Sequence, residues 1–110
     1  MNESVKVTKQ PVPAAQIYPV EAFVSPDYAK AEGEKLWPHV WQQACRVEEL
    51  KNVGDYVVYD IMHDTILITR SDADTITAFY NVCQHRGRRL AEGCGRAMQF
   101  RCKYHAWAYN

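Results

Sequence analysis

The chain has 110 residues, of which 47% are hydrophobic and 24% charged, a composition typical of one small globular domain or part of one. The formal net charge is zero, so the total charge gives no reason to expect a nucleic-acid or membrane partner. Because no apolar signal segment opens the chain and no apolar run approaches about 18 residues, the sequence predicts a cytoplasmic protein whose four cysteines bind metal or stay reduced.

The N-terminal third predicts little β-structure. Residues 1–15 are polar and show no hydrophobic periodicity, so we expect a flexible lead. A helical segment is expected within residues 16–39, because Ser25 suits the N-cap and Pro26 suits the first helical position. Pro38 is expected to end this helix.

From residue 40 onward the pattern is typical of β-strands. Short apolar stretches rich in β-branched and aromatic residues alternate with turns, which predicts an antiparallel sheet or a small barrel. The predicted strands are VWQQACRV (40–47), DYVVYDIM (55–62), TILITR (65–70), TITAFYNV (75–82) and AMQFRC (97–102). Residues 40–110 are therefore interpreted as one domain.

Two Cys–His pairs follow the last two predicted strands. The first pair is Cys83-x-His85 and the second is Cys102-x-x-His105. Each loop can offer one thiolate and one imidazole, so two adjacent loops predict a site with four ligands. Zinc also accepts two Cys and two His, but its usual spacing keeps like ligands together. Mixed loops suit a two-iron centre with both sulfurs on one iron and both imidazoles on the other, which is the Rieske [2Fe–2S] arrangement.

The stretch NVCQHRGRRLAEGCGRAMQFRCKYHAWAYN resembles the N-terminal Rieske domain of ring-hydroxylating oxygenase α subunits, through CxHRG and CxYHAW. The resemblance continues more loosely back to about Trp41. It implies a mostly β fold: a Rieske-type antiparallel β-sandwich with two cluster-binding loops at one tip and a short N-terminal helix. It also implies the ligands of the [2Fe–2S] cluster, which are Cys83, His85, Cys102 and His105.

Details of the motif refine the resemblance. High-potential Rieske proteins have a disulfide between two further cysteines, and Arg88 and Tyr104 occupy those positions here, which favours the low-potential class. Ala106 occupies a position that is often Gly in the family.

The resemblance implies an oxidoreductase. In the family, electrons pass from NAD(P)H through a flavin reductase, sometimes with a ferredoxin, to the Rieske cluster. They then reach a mononuclear Fe(II) that hydroxylates an aromatic or related substrate with O₂, usually in a trimer-based homo-oligomer. The His/His/carboxylate ligands of that iron are not visible in the sequence. We therefore expect a truncated portion, incomplete at its C-terminus, that carries an electron but has no catalytic residues of its own.

Two other functions remain open from the residues alone. One is a standalone Rieske ferredoxin-like electron carrier, and the other is a zinc-stabilised binding module. Visible absorption separates the zinc module from both Rieske alternatives, because a Rieske centre is coloured and zinc is not.

Several residues near the motif receive structural interpretations. Cys45 is expected to be a small strand residue and Cys94 to lie in a tight loop between two glycines, neither as a metal ligand. Two histidines are expected to be structural or at the surface, and four aromatic residues to pack in the core, at an interface or around the cluster loops. These residues are His39, His63, Trp37, Trp41, Tyr104 and Trp107.

The charge is polarised along the chain. Residues 81–110 contain six basic residues and one acidic residue, whereas residues 1–80 contain seven basic and twelve acidic residues. This basic run is either a solvated face or a surface that attracts an acidic electron donor. The residues expected at such a surface are Arg86, Arg88, Arg89 and Lys103.

Overall fold

The computed structural model describes residues 18–110, which divide into two compact units that meet in the sequence between Val40 and Trp41. The flexible lead expected over residues 1–15 lies outside the described residues. Within residues 18–110, every helix is too short or too polar to cross a lipid bilayer.

The described part of the first unit is helical. It contains α1 (Glu21–Val24), α2 (Pro26–Lys35) and a 3₁₀ turn (Trp37–His39). The predicted helix is thus confirmed as α2, with Ser25 at the N-cap position and Pro26 at the first turn. The Ser25 side chain makes no capping hydrogen bond, and α1 was not predicted.

The second unit is mostly antiparallel β-structure, as predicted. Its strands are β1 Asp55–Ile61, β2 Asp64–Arg70, β3 Ile76–Tyr80, β4 Cys94–Arg96, β5 Phe100–Arg101 and β6 Ala108–Tyr109. The main sheet has the strand order β3-β2-β1-β4, and a second sheet pairs β5 with β6. The strands predicted at 55–62, 65–70 and 75–82 are confirmed as β1, β2 and β3.

The strand predicted at 40–47 is wrong. Residues 41–46 form neither helix nor strand, and Val47–Leu50 form a 3₁₀ turn. The Arg46 N–H donates to the Glu49 carboxylate at 2.7 Å, so a local side chain satisfies a backbone group that a strand would use for pairing. Trp41 is fully exposed, with 102% of its reference surface accessible, so it does not pack in the core. Its alternative interpretation as an interface residue stays a prediction.

The predicted strand AMQFRC is correct only at Phe100–Arg101, and β4 and β6 were not predicted. Cys94 opens β4 rather than lying in a tight loop. Gly95 beside it pairs with Tyr56, and a Cβ at Gly95 would lie 3.1 Å from the Tyr56 hydroxyl. Gly95, which is typical of a loop in the sequence, therefore allows the short edge strand β4 to pass closely over the Tyr56 ring.

Both sheets contribute to one core. Leu67 of β2 is completely buried, and the ring of Phe100 of β5 meets that of Tyr56 of β1 edge-on, with centroids 5.2 Å apart. Leu67 and Phe100 belong to the same buried cluster as Cys83 and Cys102. The apolar core therefore includes both cysteines of the motif.

Candidate metal centre

The first ligand loop follows β3 and is closed by two backbone hydrogen bonds. The Cys83 N–H donates to the Arg88 carbonyl at 2.7 Å, and the Cys83 carbonyl accepts from the Gly87 N–H at 2.8 Å. These bonds bend the chain tightly around His85, so the thiol and the imidazole belong to one compact turn.

The second ligand loop connects β5 to β6 and repeats the same turn. The Cys102 N–H donates to the Trp107 carbonyl at 2.8 Å, and the Cys102 carbonyl accepts from the Ala106 N–H at 2.9 Å. In both loops the cysteine is thus bonded to the residues four and five positions further along the chain. The loops differ in that histidine is the second residue after Cys83 and the third after Cys102.

The turn requires left-handed backbone at its fifth residue. Gly87 has a φ of 73° and Ala106 a φ of 61°. An L-residue with a side chain is strained in this region, which explains why glycine suits both positions. The alanine at 106 is therefore accommodated at a cost in backbone strain.

The two thiols lie on the buried side of the loops. Cys83 and Cys102 are only 2% and 3% exposed, and both belong to the same buried cluster of core residues. The Tyr109 hydroxyl accepts from the Gln84 N–H at 3.0 Å and lies 3.3 Å from the Cys83 sulfur. This hydroxyl, more than any other contact, holds the pKa of the Cys83 thiol below its usual value, and the thiolate is the form that binds metal.

The two imidazoles lie on the exposed side and form part of an aromatic column. The ring of Trp107 stacks on His85 with centroids 4.7 Å apart and planes 7° apart, and the His85 and His105 centroids are 4.9 Å apart. Tyr104 then packs on His105 at 3.9 Å, and the Arg86 guanidinium lies 5.3 Å from the Tyr104 centroid. Arg86 and His85 come from the first loop and the other three from the second, so the column joins the two loops.

The four predicted ligands are brought together as two pairs. Both cysteines belong to one buried cluster in the core, and the two imidazoles lie beside each other at the surface. Across residues 18–110, no three His, Cys, Asp or Glu side chains are grouped so that they could hold a single metal ion. A centre with two thiolates on one iron and two imidazoles on the other needs only two protein ligands at each metal, so these donors fit a Rieske cluster.

The other cysteines have different surroundings. Cys45 is partly buried, and burial together with the Glu49 carboxylate raises the pKa of its thiol. Cys94 is exposed at the start of β4. That neither residue binds the metal stays a prediction.

The basic residues near the loops are only partly available for a partner. Arg89 forms an ion pair with Asp60 of β1, and the Arg86 Nη1 donates to the Tyr104 hydroxyl at 3.2 Å. A cleft of about 320 Å³ is lined by charged side chains that lie near the first Cys–His pair and near the second in the sequence. These are Arg88, Arg89, Glu92, Arg101 and Lys103.

Two contributors were missed by the sequence analysis. Tyr109 reaches back to Cys83, and Asn81 is a completely buried polar residue just before the motif. A polar residue that ends an apolar strand was a visible signal for Asn81. For Tyr109 the sequence has no such signal, because the contact spans 26 positions.

Comparison with known proteins identifies relatives of this chain. Residues 40–110 match the Rieske [2Fe-2S] domain family. The oxygenase subunit of carnitine monooxygenase from Escherichia coli (strain K12) is 35% identical over 93 residues, which are 84% of this chain and 25% of that subunit. The chain thus spans about a quarter of the length of the curated relatives it matches.

Solved structures confirm the fold. A quaternary ammonium Rieske monooxygenase in complex with γ-butyrobetaine is 32% identical with a TM-score of 0.77, covering 84% of this chain and 27% of that one. Naphthalene 1,2-dioxygenase from Rhodococcus sp. is also 32% identical, with a TM-score of 0.76, over 83% of this chain and 21% of that one. The expected antiparallel β-sandwich with two loops is therefore confirmed.

Proposed function

The chain belongs to the Rieske [2Fe–2S] domain family, and from this premise we propose that Cys83, Cys102, His85 and His105 hold its two-iron cluster. The observation that carries the proposal is the separation of the four side chains into a buried sulfur pair and an exposed imidazole pair. When bound, such a cluster supplies one-electron transfer, at a potential that the two imidazoles raise relative to all-cysteine clusters.

The surrounding residues have distinct tasks in this proposal. With Cys83 bound as a thiolate, the Tyr109 hydroxyl 3.3 Å away is the donor, and its hydrogen bond stabilises negative charge on the sulfur. Trp107 holds the plane of the His85 ring by stacking and covers one of its faces from water. Because the imidazoles are exposed and the thiols are not, the imidazole side is the one through which an electron can pass to another centre.

The experiment is low-temperature EPR of anaerobically purified, dithionite-reduced protein, together with assays of iron and acid-labile sulfide. We expect two iron and two sulfide per chain, and an average g value below that of all-thiolate clusters. Cys83→Ser and Cys102→Ser should lose the signal. Cys94→Ser is the matched control and should keep it. Stoichiometric zinc without sulfide, or loss of the signal in Cys94→Ser, would contradict the ligand assignment.

For the whole protein we propose an oxygenase component of a Rieske non-haem iron oxygenase. The relatives described above are named as oxygenases or oxygenase subunits, which favours this function over a standalone electron carrier. In this proposal the mononuclear Fe(II) belongs to a catalytic domain outside the present chain, and the cluster is its electron source. Subunits would assemble as a trimer-based homo-oligomer in the cytoplasm.

The proposed substrate is an aromatic or a quaternary ammonium compound, the two chemical classes named for the relatives. The test is substrate-dependent O₂ consumption by the full-length protein with its reductase. Carnitine, γ-butyrobetaine and naphthalene provide the first panel. Consumption that is not coupled to a hydroxylated or cleaved product for any compound of either class would contradict this assignment.

We also propose a domain division and a docking surface for the donor. Residues 40–110 form the cluster-binding domain and residues 16–39 a separate helical segment, which the division into compact units after Val40 supports.

The donor, a reductase or ferredoxin, would dock its acidic face on the cleft that contains Arg88 and Lys103.

Salt dependence tests this docking surface. Arg88→Ala and Lys103→Ala should slow reduction by the donor most strongly at low ionic strength, where screening is weakest. Arg96→Ala is the control, because Arg96 is paired with Asp55 at 2.8 Å. Equal effects of all three substitutions, or no change in salt dependence, would place the donor elsewhere.

A further inference from the structure

Asn81 lies between β3 and the first ligand loop, two residues before Cys83. Its exposed fraction is 0%, which is unusual for a polar residue unless its side chain is fully hydrogen-bonded. Its backbone N–H donates to the Thr65 carbonyl of β2 at 2.8 Å. The residue is therefore fixed to the main sheet.

The side-chain amide of Asn81 uses all of its hydrogen-bonding capacity. Nδ2 donates to the Ala91 carbonyl at 2.7 Å and to the Thr65 hydroxyl at 3.2 Å. Oδ1 accepts from the N–H groups of Leu90 at 3.1 Å and Ala91 at 3.0 Å. An amide offers two donors and two acceptor sites, so none is left free.

Three of these four bonds go to the far end of the first ligand loop. They join residue 81 to residues 90 and 91, so the segment that carries Cys83 and His85 becomes a closed ring held against the sheet. Leu90, whose N–H is one of the donors, is itself buried in the same core as Cys83. The placement of the first cysteine and the first histidine thus depends on a residue that is not itself one of the four predicted ligands.

We propose that Asn81 is the positioning residue for the first cluster loop: it fixes Cys83 and His85 in the geometry that retains the cluster. The inference rests on the proposed function, because it concerns the ligands of that cluster. Residues that orient metal ligands without binding the metal themselves typically lower metal affinity by about 10- to 100-fold when they are replaced.

Few residues can replace Asn81. Aspartate has the same shape, but it lacks the donor to the Ala91 carbonyl and places a charge in a buried site. Serine keeps a small polar group but is too short to span the same partners. Thr65→Val provides the matched control, since it removes one of the four bonds while the three bonds to the loop remain.

The experiment compares cluster-loaded full-length protein with its Asn81→Asp, Asn81→Ser and Thr65→Val variants. Release of the cluster to an iron chelator is followed by visible absorption, at a temperature where far-UV circular dichroism shows all proteins folded. We expect both Asn81 variants to lose the cluster about 10- to 100-fold faster and to show shifted g values, with Thr65→Val within about twofold of wild type. If Asn81→Asp fails to fold, Asn81→Ser decides the question.

A purely structural role makes a different prediction. In that case Asn81→Ser and Thr65→Val would both lower the melting temperature while chelator release and g values stay at the wild-type values, and this result would overturn the inference. Hydrogen exchange provides a readout that does not depend on the cluster. Peptides covering residues 84–91 should exchange at least about tenfold faster in Asn81→Ser, and not in Thr65→Val. A wild-type protein without labile sulfide would refute the proposed function, while the exchange comparison would still test Asn81.

Discussion

Replacing Leu67 by alanine should weaken the binding of the iron–sulfur cluster, because Leu67 packs in the core that contains both ligand cysteines. Leu67 is completely buried, so its truncation removes core contacts and leaves a cavity, a change that typically costs 2–5 kcal/mol of unfolding free energy. Taking about 3 kcal/mol and a urea m-value of about 1.5 kcal/mol per M, the unfolding midpoint should fall by about 2 M. The cavity would open in the hydrophobic core that contains Cys83 and Cys102.

Leu50→Ala is the control for this prediction. Leu50 is equally buried, at 1% exposed, but belongs to the 3₁₀ turn before β1 rather than to the core cluster around the two cysteines. Both variants should lose a similar amount of stability. Urea unfolding followed by circular dichroism measures that loss, and release of iron to a chelator measures how firmly the loops are held.

Only Leu67→Ala should release iron faster at low urea, where both variants are still folded. Leu67→Val, which removes one methylene, should show an intermediate effect and remains informative if the alanine variant is too unstable. Equal rates of iron release from Leu67→Ala and Leu50→Ala would refute the reasoning, because the core beneath the loops would then have no specific influence on them.

Four further substitutions test separate features of the domain. Tyr109→Phe removes a hydrogen bond to the Cys83 sulfur, and because such bonds favour the reduced cluster, a redox titration should show a potential lower by on the order of tens of millivolts. Asp60→Asn removes a carboxylate whose pKa is lowered by the hydrogen bond from its partner Arg89. Such a group stabilises the fold above its unfolded-state pKa of about 3.9 and loses this effect as the pH falls through its folded-state value, so the urea midpoint of the variant should fall less steeply below about pH 4. Gly87→Ala, at a φ of 73° with open space around the added Cβ, should cost about 1–2 kcal/mol in urea unfolding, whereas Ala106→Gly should be neutral or stabilise by up to about 1 kcal/mol.

Two of these substitutions have a control of their own. Tyr59→Phe removes a hydroxyl that bonds to Gln42 instead of a cysteine, and it should leave the potential unchanged. For Asp60→Asn the comparison is Arg89→Gln, which removes the partner of that carboxylate and should flatten the acid dependence in the same way. An unchanged potential in Tyr109→Phe would contradict the hydrogen bond to the Cys83 sulfur. An unaltered acid profile in Asp60→Asn would contradict the stabilising ion pair with Arg89. A stabilising Gly87→Ala would contradict the strain expected for a side chain at positive φ.

The predictable features of this chain were those encoded by neighbouring residues. The ligand pairs could be read directly, because Cys83 and His85 belong to one turn and Cys102 and His105 to another. The strands at 55–62 and 65–70 were equally clear, since they form a tight hairpin in which Ile61 pairs with Asp64. In these segments the hydrophobic pattern and the local turn favour the same structure.

The features that were missed depend on residues distant in sequence. Strand formation depends on whether a partner strand is available, and β-propensity is strongly context-dependent. The residues at 40–47 are bonded locally instead, whereas the glycine-containing β4 is a strand because β1 lies beside it. The bonds from Asn81 to residues nine and ten positions away could not be assigned from a pattern either, although its polar side chain at the end of a strand was visible.

The aromatic column has a consequence for protein engineering. Its order along the stack is Trp107, His85, His105, Tyr104 and Arg86, so side chains from the two loops are interleaved. Exchanging one ligand loop between homologues would bring together surfaces that are complementary to other neighbours. Functional chimeras should therefore require both loops from the same parent, and the pair is the smallest unit of the site that can be transplanted.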